Sequence, residues 1–361
     1  MPDNQGRSWL DRIHRGDCVE LLKELPDSSV DLVFADPPYN LQLGGDLYRP
    51  DQTKVSAVND VWDRFSSLEE YDKFTLAWTV ECRRVLRDTG SFWVIGTYHN
   101  IFRLGKILQD IGFWILNDIV WVKTNPMPNF MGTRFSNAHE TLIWAARSAN
   151  SRYTFHYHSM KVMNDDLQMR SDWLIPVCQG SERIKANGRK AHSTQKPEEL
   201  LQRVILSTTN PGDTVLDPFS GSGTTAAVAK RLGRRYIALE REQEYIKIAN
   251  DRLEKVEPLD SPLLEYHVGR KRPRVPFGSL VEKGLVAIGE PLYSADRKYS
   301  ALVLADASVL CNGIAGSIHK VSAELLNREK NNGWNYWYVE RNGELVIIDK
   351  LRDEYARQFI K

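Results

Sequence analysis

The sequence has few cysteines, no long apolar run and no excess of charge of either sign. Its four cysteines, Cys18, Cys82, Cys178 and Cys311, form no CxxC pair, which argues against a disulfide framework and against a zinc site. No apolar stretch approaches the about 20 residues of a membrane-spanning helix, and the first residues lack the apolar segment of a signal peptide. We therefore expect a cytoplasmic protein of a reducing compartment, with neither a membrane nor a metal partner.

The charge of the chain is nearly balanced, with 48 basic and 47 acidic residues and a net charge of +1. Composition alone gives no sign of a nucleic-acid partner, so any DNA-binding surface must concentrate its positive charge locally. Hydrophobic residues make up 42% of the 361 residues. That content is enough for one large core and a second, smaller one.

Hydrophobic periodicity predicts an α/β fold. Continuous apolar runs read as buried strands, and segments with helical spacing lie between them. This alternation implies a parallel sheet with helices on both faces. The predicted strands are 12–17, 30–35, 91–96, 115–122, 141–146, 214–217 and 236–240. A helix and turn are predicted over 18–29, and helices over 68–88, 101–111, 197–209, 224–232 and 244–256.

Three segments are expected along the chain. Residues 1–257 would form the main domain, with an insertion at about 147–190 where apolar periodicity is lost. Residues 258–277 contain several prolines and the basic cluster 270–274, and read as a linker. Residues 278–361 have their own apolar pattern and an aromatic-rich strand at 334–339, which predicts a small C-terminal α+β domain.

A glycine-rich segment at 217–225, Asp-Pro-Phe-Ser-Gly-Ser-Gly-Thr-Thr, follows a predicted strand and opens a predicted helix. Its glycines allow a tight turn and close approach to a ligand, and the helix N-terminus attracts a carboxylate. Glu240, at the end of the next strand, is suited to accept both hydroxyls of a ribose. The third glycine of a dinucleotide motif is missing, which favours a nucleoside with a small carboxylate. The alternative is an ordinary tight turn.

Two further polar residues are candidates for the same pocket, and each has a structural alternative. Asp17 ends the first strand and would bind an adenine amino group, or it is an ordinary turn aspartate. Lys196 would pair with a carboxylate, or it is a surface lysine before the proline that starts a helix.

The motif Asp36-Pro37-Pro38-Tyr39 is the most specific signal in the chain. Two prolines after a buried strand fix φ and remove two donors, so they hold the Asp36 carboxylate and the Pro37 carbonyl at the carboxyl edge of the sheet. Two acceptors facing an aromatic amine leave its lone pair pointing at a methyl donor, and Tyr39 would stack on the base. A base inside a duplex has to flip out to reach such a site. The alternative is a turn that caps a helix or loop.

The motifs DPPY and FSGSG, with the preceding GD and the KP at 196–197, resemble those of the amino-methyltransferases of DNA. The catalytic motif precedes the cofactor motif, which resembles the permuted order of the beta class. Longer segments (GDCVELLKELPDSSVDLVFADPPYNL, VWDRF, WVKTNPMPNF, SIHK and NNGWNYW) are similar to the cell-cycle-regulated adenine methyltransferases of bacteria, over nearly the whole chain. The resemblance implies a Rossmann-like S-adenosylmethionine-dependent methyltransferase sheet with permuted motif order.

The resemblance also implies an activity and a set of site residues. The family transfers methyl to N6 of adenine in GANTC, on hemimethylated DNA after replication and without a partner nuclease. An Asp at position 36 looks like the adenine version of the motif, whereas a Ser looks like the cytosine-N4 version. Asp36, Pro37, Pro38 and Tyr39 would hold the flipped adenine. The residues expected at S-adenosylmethionine are Asp17, Cys18, Gln195, Lys196, Asp217, Phe219, Gly221, Gly223, Thr224 and Glu240.

DNA contacts are expected from loops that flank the site and from the C-terminal domain. The candidates are Asn40, Leu41, Leu43, Lys123, Asn125, Asn129 and Arg134, followed by Ser317, His319, Asn332, Trp334 and Arg352. The leucines would wedge into an opened duplex or pack as a lid, and the basic stretch 183–190 would hold phosphates or form a solvated loop. Trp334 by itself reads as a core residue. Because GANTC is a palindrome, we expect a homodimer.

Two other functional classes stay open at this point. One is a noncatalytic DNA-binding regulator on a methyltransferase scaffold, which the intact DPPY and FSGSG motifs oppose. The other is a methyltransferase that acts on protein glutamine or on RNA. Those enzymes often carry an Asn-first motif or lack such a C-terminal segment.

Overall fold

The computed structural model describes residues 8–40, 63, 65–129, 132–180, 182–186, 189–190, 194–260, 264 and 275–359. The predicted DNA contacts Leu41 and Leu43 lie outside these residues. The chain divides into two compact units, Met1–Val268 and Gly269–Lys361. No helix within the described ranges is both long enough and apolar enough to span a membrane.

The first unit is built from alternating strands and helices. Its strands are β1 (Arg12–Arg15), β2 (Val30–Ala35), β3 (Leu86–Gly96), β4 (Trp114–Lys123), β5 (His139–Ala146), β6 (Asp172–Ile175), β7 (Lys185–Ala186), β8 (Arg189–Lys190), β9 (Thr214–Asp217) and β10 (Arg235–Glu240). Its helices are α1 (Cys18–Glu24), α2 (Leu68–Val85), α3 (Ile101–Asp110), α4 (Tyr157–Val162), α5 (Glu198–Thr208), α6 (Thr224–Arg231) and α7 (Gln243–Leu253).

Eight of these strands form one sheet in the order β1-β10-β9-β2-β3-β5-β4-β6. The α/β class is confirmed, but the prediction of a parallel sheet is wrong at β5, which runs antiparallel to both β3 and β4. The described residues between β4 and β5 contain no helix that could carry the chain back across the sheet. Without such a crossover, β5 can only return antiparallel to β4.

Both faces of this sheet are buried. Along β2, Val33 and Ala35 belong to one apolar cluster, together with residues of α1, α2 and α3. Leu32 and Phe34 belong to a second cluster, with residues of α5 and α6. Successive side chains of a strand point to opposite faces, so the two clusters lie on the two sides of the sheet. Burial on both faces explains why β2 is a continuous apolar run.

The boundary between α2 and β3 differs from the prediction. The helix ends at Val85 and the strand starts at Leu86, whereas the sequence predicts a helix to 88 and a strand from 91. Between Val30 and Leu32 the pairing of β2 moves from Leu86 to Ser91, which marks an irregularity in β3. A Cβ on Gly90 would lie 2.7 Å from the carbonyl oxygen of Asp31. Gly90 therefore marks a bulge with close backbone approach, not a turn.

The predicted insertion at 147–190 contributes to the main sheet. It contains α4 and β6, and β6 pairs in parallel with β4 at the edge of the sheet. Trp173 and Ile175 point into the core, and the side chain of Leu174 between them is exposed. Four residues are too few for this alternation to stand out in the sequence.

The second unit combines helices with an antiparallel sheet, as predicted for an α+β domain. Its elements are α8 (Phe277–Glu282), β11 (Pro291–Tyr293), β12 (Ser300–Val303), β13 (Val309–Cys311), β14 (Ile314–Gly316), α9 (Ile318–Leu325), β15 (Tyr338–Arg341), β16 (Glu344–Ile347) and α10 (Ile348–Phe359). The six strands follow the order β14-β13-β12-β11-β15-β16. Leu280, Leu292, Trp337 and Val339 are fully buried in its core.

The predicted aromatic strand at 334–339 is only partly correct. Residues Gly333–Asn335 form a turn of 3-10 helix, and the strand begins at Tyr338. The Asn332 side chain accepts a hydrogen bond from the Trp334 amide at 3.2 Å and so caps this turn. The Trp337 indole donates to the carbonyl of Ile318 at 3.0 Å. These two bonds favour a compact turn over an extended strand.

Candidate active site

The carboxyl ends of β1, β2, β9 and β10 meet at one edge of the main sheet because these strands are parallel neighbours. The loop that follows each strand opens on that edge, where open α/β sheets bind ligands. A cavity of about 340 Å³ lies there. Its lining includes Gly16, Asp17, Cys18, Asp36, Pro37, Pro38, Tyr39, Asp63, Phe65, Phe74, Thr194, Phe219, Gly221, Glu240 and Tyr245. Motifs that are far apart in the sequence therefore share one cavity.

Glu240 is anchored at the wall of this cavity by backbone amides. Its Oε2 accepts from the Gly221 amide at 2.7 Å, and its Oε1 accepts from the amides of Arg241 at 2.8 Å and Glu242 at 2.9 Å. Burial raises the pKa of Glu240, and the three amides oppose that rise. A carboxylate has about four acceptor sites, so a fixed Glu240 retains capacity for a ligand hydroxyl.

The glycine-rich turn needs the glycines that the sequence places there. Gly221 has φ +50° and Gly223 has φ +75°, a backbone region that side chains disfavour. A Cβ on Gly223 would lie 2.8 Å from the Cβ of Ala249 on α7. Phe219 packs edge-on against Trp78, with ring centroids 5.2 Å apart. Phe219 and Gly221 line the cavity, whereas Gly223 lies behind it against α7.

Asp217 lies beneath this turn. Its Oδ1 accepts a hydrogen bond from the Phe219 amide at 2.9 Å, and burial raises the pKa of its carboxyl group to about 7. Asp217 is absent from the cavity wall, so its observed role is to hold the turn.

Asp17 and Cys18 line the cavity next to the amino end of α1. Asp17 Oδ1 accepts from the amides of Val19 at 2.9 Å and Glu20 at 3.3 Å, so Asp17 also caps α1, a role that neither of its two sequence interpretations included. Burial raises the pKa of the Cys18 thiol to about 12. Cys18 is therefore a neutral, apolar contact at physiological pH.

Three residues predicted at S-adenosylmethionine, Gln195, Lys196 and Thr224, bind other parts of the protein. Gln195 donates to the Glu182 carbonyl at 2.9 Å and accepts from the Ile184 amide at 3.0 Å. Thr224 accepts from Arg252 at 2.9 Å. Within the described part of the chain, Thr194 lines the cavity and neither Gln195, Lys196 nor Thr224 does. A direct cofactor contact by these three residues stays a prediction.

The catalytic motif carries a network of buried charges. Lys196 Nζ lies 2.9 and 2.7 Å from the two carboxylate oxygens of Asp36. The Tyr39 hydroxyl lies 3.0 Å from Asp36 Oδ1 and 2.9 Å from Glu140 Oε2. Lys123 Nζ lies 2.8 Å from Glu140 Oε1. Two carboxylates and two ammonium groups therefore balance in charge around one tyrosine.

Two side chains hold the backbone of the motif in place. Asp63 Oδ1 accepts from the amides of Tyr39 at 2.6 Å and Asn40 at 2.8 Å, and the Tyr71 hydroxyl donates to the Pro38 carbonyl at 2.9 Å. Among the described residues, none donates a hydrogen bond to the carbonyl of Pro37. The turn thus presents the Pro37 oxygen as an acceptor without a partner of its own.

Burial and charge set the protonation of this network. Burial raises the pKa of Asp36, against the opposing effect of Lys196. Burial also raises the pKa of the Tyr39 hydroxyl well above its usual range, and the neighbouring carboxylates add to the rise. Although burial opposes it, the charges of Lys196 and Lys123 lower the pKa of Glu140. Tyr39 therefore keeps its proton, and Glu140 is firmly ionised.

Four residues of the network and its support were not assigned to the catalytic site by the sequence analysis. They are Asp63, Tyr71, Lys123 and Glu140. Asp63 lies in the segment VWDRF, one of those that carry the family resemblance. That resemblance could have pointed to Asp63 as a site residue. Glu140 is a charged residue at the start of an otherwise apolar strand, and it is 8% exposed. A buried charge of this kind needs partners, which is the physical signal for a site.

The predicted DNA contacts on the loops of the first unit differ in their exposure and in their hydrogen-bond partners. Lys123 is buried against Glu140, and Asn125 bridges Gln179 and the Val177 amide at 2.8 Å each. Asn129 accepts from the Thr133 amide at 3.3 Å. Arg134 is exposed and donates to the Tyr98 hydroxyl at 2.9 Å. Most side chains of the basic stretch 183–190 lie outside the described residues.

The predicted DNA contacts of the second unit form local structure. Ser317 caps α9, His319 Nδ1 accepts from the Gly333 amide at 3.0 Å, and Asn332 caps the 3-10 turn. Trp334 is 7% exposed, with the Arg352 guanidinium 4.8 Å from its ring centroid. Trp334 is therefore a core residue, as its sequence context by itself indicated. DNA contacts by these residues stay predictions.

An α/β sheet brings a glycine-rich turn, an anchored carboxylate and an Asp-Pro-Pro-Tyr motif to one cavity, an arrangement typical of S-adenosylmethionine-dependent methyltransferases. The chain belongs to the DNA methylase family, whose model matches residues 30–251. A second family model, Restriction Enzyme Adenine Methylase Associated, matches residues 260–361. The predicted class of DNA methyltransferases and its cofactor are thus confirmed.

Several known proteins are similar to this chain. The Type II methyltransferase M.HinfI of Haemophilus influenzae is 48% identical over 351 residues, 97% of this chain and 98% of that protein. The Type II methyltransferase M2.LlaDCHI of Lactococcus lactis subsp. cremoris is 44% identical over 240 residues, 66% of this chain and 87% of that protein.

Solved structures show the same fold. The complex of M1.HpyAVI with S-adenosylmethionine matches with a TM-score of 0.50 and 27% identity, and covers 67% of this chain and 98% of that one. The cytosine-N4-specific PvuII DNA methyltransferase has a TM-score of 0.51 and 23% identity, and covers 70% and 95%. At that identity the PvuII enzyme supports the fold alone.

Proposed function

We propose that this enzyme methylates N6 of adenine in duplex DNA, at GANTC, after the adenine has rotated out of the helix. The observation that carries the proposal is the pair of acceptors at the end of β2. The Asp36 carboxylate and the Pro37 carbonyl, to which no described residue donates a hydrogen bond, belong to adjacent residues that both line the cavity. An exocyclic amino group has two N–H bonds, and these two acceptors would receive them.

The cofactor half of the cavity suits the chemistry of S-adenosylmethionine. Glu240, held by three amides, would accept the ribose hydroxyls, and Asp17 with Cys18 would contact the adenine ring of the cofactor. Phe219 and Gly221 would lie beneath it. When bound, S-adenosylmethionine supplies a methyl group activated by its attachment to a sulfonium. No covalent bond to the protein is needed, since the amine itself is the nucleophile.

The residues of the catalytic half would orient the amine. Its lone pair is delocalised into the base, and hydrogen bonds to Asp36 and to the Pro37 carbonyl favour the geometry in which that lone pair faces the methyl group. The nitrogen gains a methyl group and then loses one proton. The raised pKa of Asp36 makes its carboxylate a suitable acceptor for that proton. Tyr39 presents a ring for the base to stack on, with a typical contribution of about 1–3 kcal/mol.

The finer parts of the proposal depend on the resemblance to the cell-cycle-regulated enzymes. We infer from it that the adenine of GANTC is the target, that hemimethylated DNA after replication is the natural substrate, and that no partner nuclease is involved. The aspartate at position 36 supports adenine over cytosine as the target base. A palindromic site fits a homodimer with two-fold symmetry. The C-terminal unit would supply DNA contacts.

The proposal is tested by transfer of labelled methyl from S-adenosylmethionine to duplexes with GANTC or a scrambled site. Wild type should label GANTC duplexes, and Asp36→Ala should lose the activity by several orders of magnitude. Asp31→Asn is a matched control: Asp31 is a buried carboxylate on β2, the strand that Asp36 follows, and it is paired with Arg87 at 2.6 Å and absent from the cavity wall. Label on scrambled DNA would reject the recognition sequence. If wild type binds DNA but transfers no methyl group, the proposed activity is rejected in favour of a noncatalytic DNA-binding regulator.

A further inference from the structure

The Tyr39 hydroxyl faces two carboxylates but has one proton to donate. Asp36 Oδ1 lies 3.0 Å from the hydroxyl oxygen and Glu140 Oε2 lies 2.9 Å from it. Distance therefore does not decide which carboxylate accepts the hydrogen bond. Both distances lie at the long end of the usual O–H···O range of about 2.5–3.0 Å, so either carboxylate can accept the hydrogen bond. The choice matters because Asp36 is the group that the proposed reaction needs for the base.

Charge favours Glu140 as the acceptor. Asp36 already receives both short contacts from Lys196, and burial raises its pKa, which favours its neutral form. Glu140 is paired with Lys123 at 2.8 Å and lies 3.8 Å from Lys196, and these charges keep it ionised despite burial. Hydrogen bonds to a fully charged acceptor are roughly twice as strong as those between neutral groups.

We propose that Glu140 is a positioning residue that accepts the hydrogen bond of the Tyr39 hydroxyl and anchors Lys123, leaving part of the Asp36 carboxylate available to the amino group of the base. This inference rests on the proposed function. Because a carboxylate has about four acceptor sites and Lys196 occupies one on each oxygen, a further bond from Tyr39 to Oδ1 would leave the base a single site, on Oδ2. Glu140 acts through Tyr39 and does not touch the reacting atoms.

The pH dependence of turnover separates positioning from mere support of the fold. Ionised Asp36 is the stronger acceptor for the N–H bond, and only the ionised form can take up the proton that the methylated amine releases, so its protonation sets the acid limb of kcat. The ionisable groups that face it are Lys196 before α5, Tyr39 of its own turn, Glu140 on β5 and Asp217 at the end of β9. Burial is the main cause of the raised pKa of Asp36, and the negative charge of Glu140 adds to the rise. Removing that charge therefore moves the acid limb to lower pH.

The experiment compares kcat and KM against pH for wild type, Glu140→Gln and Asp31→Asn, with a GANTC duplex. We expect Glu140→Gln to lower kcat about 10- to 100-fold, the usual cost of a misplaced reacting group, with little change in KM for DNA and a shift of the acid limb to lower pH. Asp31→Asn removes a buried carboxylate away from the site and leaves the acid limb in place. A Glu140→Gln enzyme with an unshifted acid limb overturns the inference.

A second variant tests the same inference if Glu140→Gln does not fold. In Tyr39→Phe, the acid limb stays at its wild-type position if Glu140 was the acceptor of the lost hydroxyl. A shift of that limb to higher pH means that Tyr39 had been stabilising ionised Asp36, which refutes the inference. Isotope-edited infrared titration of Asp36 gives the same comparison without turnover. Absence of transfer by wild type would therefore reject the proposed function while the role of Glu140 is still measured.

Discussion

Replacing Lys196 by methionine removes the ammonium group that contacts both oxygens of Asp36 while keeping a long apolar side chain. The side chain of Lys196 is 7% exposed and that of Asp36 is 18% exposed, so water cannot take over the lost contacts. Removing one partner of a buried ion pair typically costs about 3–5 kcal/mol in the free energy of unfolding. We expect Lys196→Met to lose an amount in this range at neutral and alkaline pH, together with methyl transfer.

The loss should shrink as the solution becomes acidic. Burial raises the pKa of Asp36, and Lys196 opposes that rise, so the variant has a still higher pKa at this carboxyl. A carboxyl with a raised folded-state pKa stabilises the fold in its protonated form, at low pH, and this contribution is lost as the pH rises through the folded-state value. Tyr39, Glu140 and Asp217 face the same carboxyl in both proteins. Protonated Asp36 carries no charge for Lys196 to balance. The free energies of unfolding of wild type and Lys196→Met therefore converge at low pH.

Urea unfolding at a series of pH values measures this difference directly. Lys73→Met is the matched control, because Lys73 pairs with Glu69 at 2.9 Å on the surface of α2 with both side chains mostly exposed. Such pairs contribute at most about 1 kcal/mol. A Lys196→Met protein that loses no more than this control, or that loses the same amount at every pH, would refute the reasoning.

Three further variants test other parts of the account. Gly223→Ala should lose about 2 kcal/mol or more of unfolding free energy, since φ is +75° and the new Cβ would lie 2.8 Å from that of Ala249; thermal and urea unfolding measure this. Glu240→Gln removes a charged acceptor, so calorimetry should show S-adenosylmethionine binding weakened about 10- to 100-fold, and unchanged affinity would remove Glu240 from the cofactor site. Trp334→Ala should cost about 3–5 kcal/mol because the ring is buried beneath Arg352; a stable variant with weak DNA binding would instead make Trp334 a DNA contact.

Much of the fold was predictable because buried strands and helices have recognisable hydrophobic patterns in the sequence. The strands at 30–35 and 214–217 have the predicted bounds, since each is an apolar run with polar or proline residues on both sides. The direction of a strand leaves no such trace. Residues 141–146 read equally well as parallel or antiparallel, and only the missing helix before β5 decides the direction. Gly90 illustrates a similar limit, because a bulge and a turn both favour glycine.

The cofactor and catalytic motifs were predictable because each is a short local pattern at the end of a strand. The partners of these motifs were not. Lys196 was assigned to a carboxylate of the ligand, yet it contacts the carboxylate of Asp36, 160 residues away in the chain. Glu140 is 101 residues from Tyr39, and no spacing rule connects them. In the second unit, the sequence alone could not distinguish side chains that cap and fill a core from side chains that read DNA.

The identity of the methylated atom is the decisive point of the proposed function, and nucleoside analysis measures it. A duplex containing both GANTC and unrelated sequence is incubated with S-adenosylmethionine and wild-type enzyme, digested to nucleosides, and analysed by mass spectrometry. The account predicts N6-methyladenine as the product, and none of it from Asp36→Ala under the same conditions. N4-methylcytosine as the product, or equal N6-methyladenine from the Asp36→Ala enzyme, would contradict it.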